Sequence, residues 1–97
     1  MSESIMRCNR KGVCYICGRV CQTECHHIFR GKNRKRADAD GLTVHLCHWC
    51  HNEPPMGVHY NKTADTRLKQ IGQRMWMKHY GKTVDDFIKA YGRNYLD

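Results

Sequence analysis

Ninety-seven residues carrying a formal net charge of +8 and a pI near 9.3 leave room for one small domain and favour a polyanionic partner, nucleic acid ahead of a membrane surface. No stretch has the apolar length of a signal-peptide core or a bilayer span, so the expectation is a cytoplasmic protein without a membrane partner, where thiols stay reduced. Seven cysteines cannot all pair as disulfides, and a chain this short often needs a staple, so metal binding is their leading explanation.

In chain order, residues 1–11 are polar and uneven and read as a loose basic arm. "CYICG", Cys14 to Gly18, is a Cys-x-x-Cys turn closed by glycine. Glu24 to Phe29 and Leu42 to Leu46 are short and rich in β-branched, aromatic and aliphatic residues, the signature of strands. "RGKNRKRADADG" between them is too long for a tight turn and too charged for a core, and reads as a loop, either functional or floppy. "CHWCH", Cys47 to His51, repeats the Cys-x-x-Cys turn, and "NEPPMG" then breaks the chain. From about Thr63 the period turns helical, with Leu68, Ile71 and Met75 on one face and Trp76 and His79 beside it. Gly81 is a stop, and Thr83 with Asp86 resembles a capping box. The short helix it opens should turn Val84, Phe87, Ile88 and Tyr91 inward and end at Gly92. The expected fold class is α+β: a zinc-stabilised β-hairpin plus helix with additional C-terminal helices. The whole chain, 1–97, reads as one domain, with its core over 12–61 and helices over 62–97.

Cys14, Cys17, Cys47 and Cys50 form a matched pair of knuckles. Each holds two thiolates close together, and a fold that joins the pairs makes a tetrahedral site for structural Zn2+. Their separation exceeds the usual zinc-ribbon range, and an inserted hairpin with a long loop accounts for the excess. Cys8, Cys21 and Cys25 remain, either as small core residues or, for the last two, as part of a second metal site with a histidine.

His26 and His27 are neighbours in a strand, and strand neighbours point to opposite faces. Two roles are natural for such a pair: one imidazole binds a metal while the other acts on a water from a different direction. Phosphodiester hydrolysis needs both, a cation on the phosphate and leaving oxygen and a base for the attacking water. His48 and His79 read as surface residues.

"HH", a polar loop, a second strand and Cys-x-x-Cys-His together resemble the HNH (ββα-metal, His-Me finger) endonucleases of the zinc-knuckle type, over Cys14 to about Asn61. The resemblance implies that His26 is a metal ligand and His27 the general base. It implies that His51 is a further ligand, with His59 completing the set and Asn61 as a fallback. The family's middle Asn, which pins the catalytic loop, has no counterpart at Leu42. Asp40 and His45 are the alternatives for that role. "GVHYN" and the C-terminal segment are similar to small phage and prophage nucleases related to the RecA-dependent recombination enhancers. That implies a phage- or prophage-encoded protein in a bacterial host, with a RecA-type recombinase filament as partner.

Arg30, Lys32, Arg34, Lys35 and Arg36 follow the paired histidines directly and can neutralise phosphates, with no aromatic among them to read bases. Lys62, Arg67, Lys69, Arg74 and Lys78 continue the basic charge along the helix. The expected function is metal-dependent DNA cleavage with little sequence preference. By resemblance it leaves 5′-phosphate and 3′-hydroxyl ends and uses one catalytic divalent metal, Zn, Ni, Co, Mn or Mg. The alternative is a non-catalytic zinc module of phage origin that binds DNA or a protein.

Overall fold

The computed structural model describes residues 4–96. Two strands, β1 (Glu24–His27) and β2 (Thr43–Leu46), pair antiparallel, with Glu24 opposite Leu46 and His27 opposite Thr43. β1 ends two residues earlier than its composition suggests. Ile28 and Phe29 leave the ladder and drop into the core, at 0% and 2% exposure. Val44 and Leu46 face them from β2, also fully buried.

The segment between the strands is not the loop its charge suggests. A 3-10 turn (Gly31–Asn33) leads into α1 (Arg34–Asp40). The helix forms because Ala37 is a good helix former that buries completely, while Arg34, Lys35 and Arg36 stay in solvent. Gly41, at φ 78°, supplies the left-handed residue that stops it, and Leu42 N–H bonds the Ala37 carbonyl at 2.8 Å. The charge run is thus the wet face of a helix with one buried anchor.

α2 (His48–His51) is a single turn that starts from Cys47. α3 (Lys62–Tyr80) lays Leu68, Gly72, Gln73 and Trp76 on the core. The expected Leu68 and Trp76 are buried and Ile71 and Met75 pack half-buried against the core, whereas His79 is exposed. Gly72 allows the close approach, since a Cβ there would stand 3.3 Å from the Ile28 Cγ2. α4 (Val84–Tyr91) opens on the expected capping box, with the Thr83 hydroxyl accepting from Asp86 N–H and the Asp86 carboxylate accepting from Thr83 N–H. Phe87 and Tyr91 are its buried residues, one turn apart, whereas Ile88 is 38% exposed and does not face inward.

Phe29, Trp76, Phe87 and Tyr91 form one aromatic cluster beneath the hairpin, with ring centroids 4.7 Å apart for Phe87 and Tyr91 and 4.9 Å for Phe29 and Tyr91. The N-terminal segment is not a loose arm over its described part. Met6 is buried, Ile5 N–H bonds the Gly41 carbonyl, and the Asn9 side chain accepts from His45 N–H at 2.8 Å. The first three residues of that expected arm lie outside the described residues.

Candidate functional site

Two groups of ligating side chains come together among the described residues: Cys14, Cys17, Cys47 and Cys50, and His26, His51 and His59. Cys8, Cys21 and Cys25 join neither.

The four cysteines are gathered by the two turns the sequence marks. Cys14 and Cys47 are buried, while Cys17 is exposed at the tip of its knuckle. The sulfurs of Cys17 and Cys47 stand 3.8 Å apart. Four Zn–S bonds of about 2.3 Å in a tetrahedron demand sulfurs about 3.8 Å apart, so the donor set fits zinc in both type and spacing. Electrostatics agree. Burial acts to raise the Cys14 pKa, but the N–H groups of Cys17, Cys47 and Ile16 outweigh it and bring the thiol down to about 6. Burial and the surrounding thiols push Cys50 the other way. One thiolate is thus favoured and further ones are resisted, which is the imbalance a dication relieves.

The histidine group is built from three elements. His26 comes from β1 and is 1% exposed, and its Nε2 is buried with no hydrogen-bond partner. His51 ends α2. His59 returns to it because the turn after α2 doubles back: Val58 N–H bonds the Cys50 carbonyl at 2.7 Å and His59 N–H bonds the His51 carbonyl at 3.3 Å. The ring centroids of His26 lie 5.0 Å from His51 and 5.2 Å from His59. Three imidazoles with converging nitrogens, one of them buried and without a hydrogen-bond partner, fit a divalent metal of the zinc or first-row type. Burial, then the charges of His51, Arg30 and their neighbours, push the His26 pKa down to about 3, so its lone pair is free across the physiological range.

Two carboxylates that spacing did not point to complete the arrangement. Glu24 Oε1 accepts from His51 Nδ1 at 2.8 Å, which leaves the His51 lone pair on Nε2, toward His59. This hydrogen bond, ahead of the contact from His48, holds the Glu24 carboxyl below the usual range. Asp38, on α1, accepts from His27 Nε2 at 3.0 Å. The proton on that nitrogen leaves the His27 lone pair on Nδ1. His27 faces a cleft of about 380 Å3 that it shares with the three grouped histidines, Arg30 and Arg34.

The other expected residues divide. Lys32, Lys35 and Arg36 are exposed on the 3-10 turn and α1. Asp40 faces the C-terminal helices. Its carboxylate accepts from Trp76 Nε1 at 2.9 Å and from the Tyr91 hydroxyl at 2.7 Å, fastening the end of α1 to both C-terminal helices. His45 meets the Thr23 hydroxyl and pairs across the hairpin with Cys25, not with His27. Asn61 accepts from Ala64 N–H as the N-cap of α3, so its side-chain oxygen is spent there rather than at the metal group. A larger depression of about 520 Å3, floored by Ile16, Met56, Leu68 and Ile71, has Arg67 as its one titratable side chain besides Tyr15, and holds no such constellation. Comparison with protein-family models, with curated proteins and with solved structures finds no match for this chain, so the geometry of its own side chains carries the functional reading.

Proposed function

We propose that the protein is a metal-dependent endonuclease of the HNH zinc-knuckle type that hydrolyses DNA phosphodiester bonds. One observation carries the reading. His26, His51 and His59 converge in a cleft that His27, held by Asp38, also faces, with Arg30 and Arg34 on its wall. A protein needing only a structural zinc has no use for this second constellation.

His26, His51 and His59 would hold the metal, which supplies charge neutralisation on the phosphate and the departing 3′ oxygen. His27 takes the proton of the attacking water on Nδ1 and becomes an imidazolium that Asp38 stabilises through the opposite nitrogen. Arg30 and Arg34 fix the phosphate, and the exposed Lys35 and Arg36 of α1 extend basic charge along the duplex path. None of these contacts reads a base edge, so weak sequence preference and a steep salt dependence follow. The C-terminal resemblance extends the proposal to DNA presented by a recombinase filament in a phage-infected or lysogenic bacterial cell.

Supercoiled plasmid incubated with the zinc-loaded protein and added Mg2+, Mn2+, Co2+ or Ni2+ tests the reading. Cleavage is expected with at least one of them. His27→Ala should lose about 10²–10⁴-fold in rate while keeping its metal and its DNA affinity. His26→Ala should bind the second metal weakly and regain part of its rate when metal is raised. Absence of cutting with every metal, or a His27→Ala protein as fast as the parent, overturns the proposal. DNA binding without cutting would mark a non-catalytic zinc module.

A further inference from the structure

Four side chains form one continuous hydrogen-bonded chain across the cleft. Glu24 Oε1 can only accept, so His51 Nδ1 carries the proton between them, at 2.8 Å. The lone pair of neutral His51 is then on Nε2, 3.0 Å from Nε2 of His59, and His59 must donate there. With its proton on Nε2, His59 keeps its lone pair on Nδ1. That atom stands 2.8 Å from Nη1 of Arg30, which can only donate. The Asn52 amide nitrogen, 3.2 Å from His51 Nδ1, can only donate, and its acceptor is Glu24 Oε1 at 3.1 Å, so the proton on His51 Nδ1 stands and each link fixes the next.

Ligation by His59 requires the opposite arrangement. To offer Nε2 to a metal, His59 must move its proton to Nδ1, which then faces a guanidinium unable to accept it. To offer Nδ1, it must take from Arg30 the lone pair that Arg30 already uses. By either nitrogen, Arg30 and a metal exclude each other at His59.

We propose that Arg30 is a metal-responsive positioning residue: it competes with the metal for His59, and loading the metal frees its Nη1 for the substrate phosphate. The inference rests on the reading of His26, His51 and His59 as ligands. Arg30 is suited to pivot rather than swing away. Its Nη2 is 3.4 Å from Asp65 Oδ2, and Lys69 Nζ holds the same oxygen at 3.0 Å from the next turn of α3. Asp65 Oδ1 is buried without a partner and can accept a further bond as the guanidinium turns. The site would thus present its phosphate-binding arginine only when the metal that activates the phosphate is in place, and phosphate and metal would bind with positive coupling.

A second equivalent of Zn2+ titrated by calorimetry into protein whose cysteine site is already filled is the test. The comparison is between the parent, Arg30→Ala and Arg34→Ala, the last removing the same charge from the same cleft. Arg34→Ala should report electrostatic relief alone. Arg30→Ala should tighten the second zinc roughly tenfold beyond it, the worth of a lost hydrogen bond from a charged donor. Long-range proton–nitrogen spectra of the parent imidazoles should place the His59 proton on Nε2 before the second zinc and on Nδ1 after it. In a His27→Ala background, which slows cutting, the second zinc should raise affinity for a short duplex more when Arg30 is present than when it is alanine. Equal affinity shifts in the two arginine variants, a His59 proton on Nδ1 from the start, no second zinc bound, or an equal rise in duplex affinity would each overturn the inference. None of these readouts uses cleavage. A protein that passes them but never cuts DNA refutes the nuclease reading alone.

Discussion

His26 shows how far one position can depart from the ordinary behaviour of its side chain. Buried and held neutral, it protonates near pH 3 in the folded chain, against about 6.5 when exposed. Between those values the unfolded chain binds the extra proton, so the stability contribution of His26 is complete above about pH 6.5 and is lost as the pH falls toward 3. Protein carrying only its cysteine-bound zinc should therefore lose stability from pH 7 to pH 5 more steeply than His26→Gln, measured by urea unfolding. Parallel losses in the two proteins would show that His26 is not held neutral by the fold. The partners of these histidines were less legible than the histidines themselves. Asp38 lies 11 residues from His27, and its reach depends on a helix that the charge run concealed. Glu24 lies 27 residues from His51, but strand alternation already places it on the same face as His26, and that was a signal in plain view.

At the scale of elements, the turn between α2 and α3 decides whether His59 reaches the site. Spacing alone left this open, because tandem prolines mark a break without saying where the chain goes next. The return is made at Gly57, whose N–H bonds the Glu53 carbonyl. A Cβ there would stand 2.7 Å from the Glu53 backbone nitrogen and 2.9 Å from its carbonyl oxygen. Both obstacles are backbone, so the turn itself must move. Gly57→Ala should displace His59 and weaken the second metal by at least about tenfold while the cysteine site keeps its zinc, as calorimetry and metal analysis would show. Unchanged affinity for the second metal would mean that His59 is not a ligand or that the turn absorbs the methyl group. The elements that were legible, both knuckles, the hairpin and the cap of α4, are those whose residues carry local instructions. The missed ones, α1 and the burial of Gly72 and Gln73 on α3, are set by what they pack against: Ala37 and Leu42 in one case, Ile28 and Phe29 against Gly72 in the other.

For the molecule as a whole, the cysteine group and the histidine group are mechanically one system. The cysteine site ties a turn at Cys14 and Cys17 to a turn at Cys47 and Cys50, across some thirty positions of chain. α2 begins from Cys47 and delivers His51 four residues later, and the Cys50 carbonyl anchors the return that brings His59. Zinc held by the four cysteines would therefore position two of the three histidines without touching any of them. Phe29, Trp76, Phe87 and Tyr91 share one buried core with Cys14 and Cys47, but their ring contacts join α3 and α4 directly to the chain just past β1 and give the helices packing of their own. Loss of zinc should consequently dismantle the site before it abolishes helicity. Cys17→Ser is the informative change, because Cys17 is exposed and sits on the knuckle that does not carry His51. It should bind its zinc weakly, lower the melting temperature and fail to bind the second metal, with much of its far-ultraviolet circular dichroism retained. A strong chelator on the parent should give the same sequence of losses. A Cys17→Ser protein that has lost its zinc yet binds the second metal as tightly as the parent would show that the histidine group stands without the knuckles.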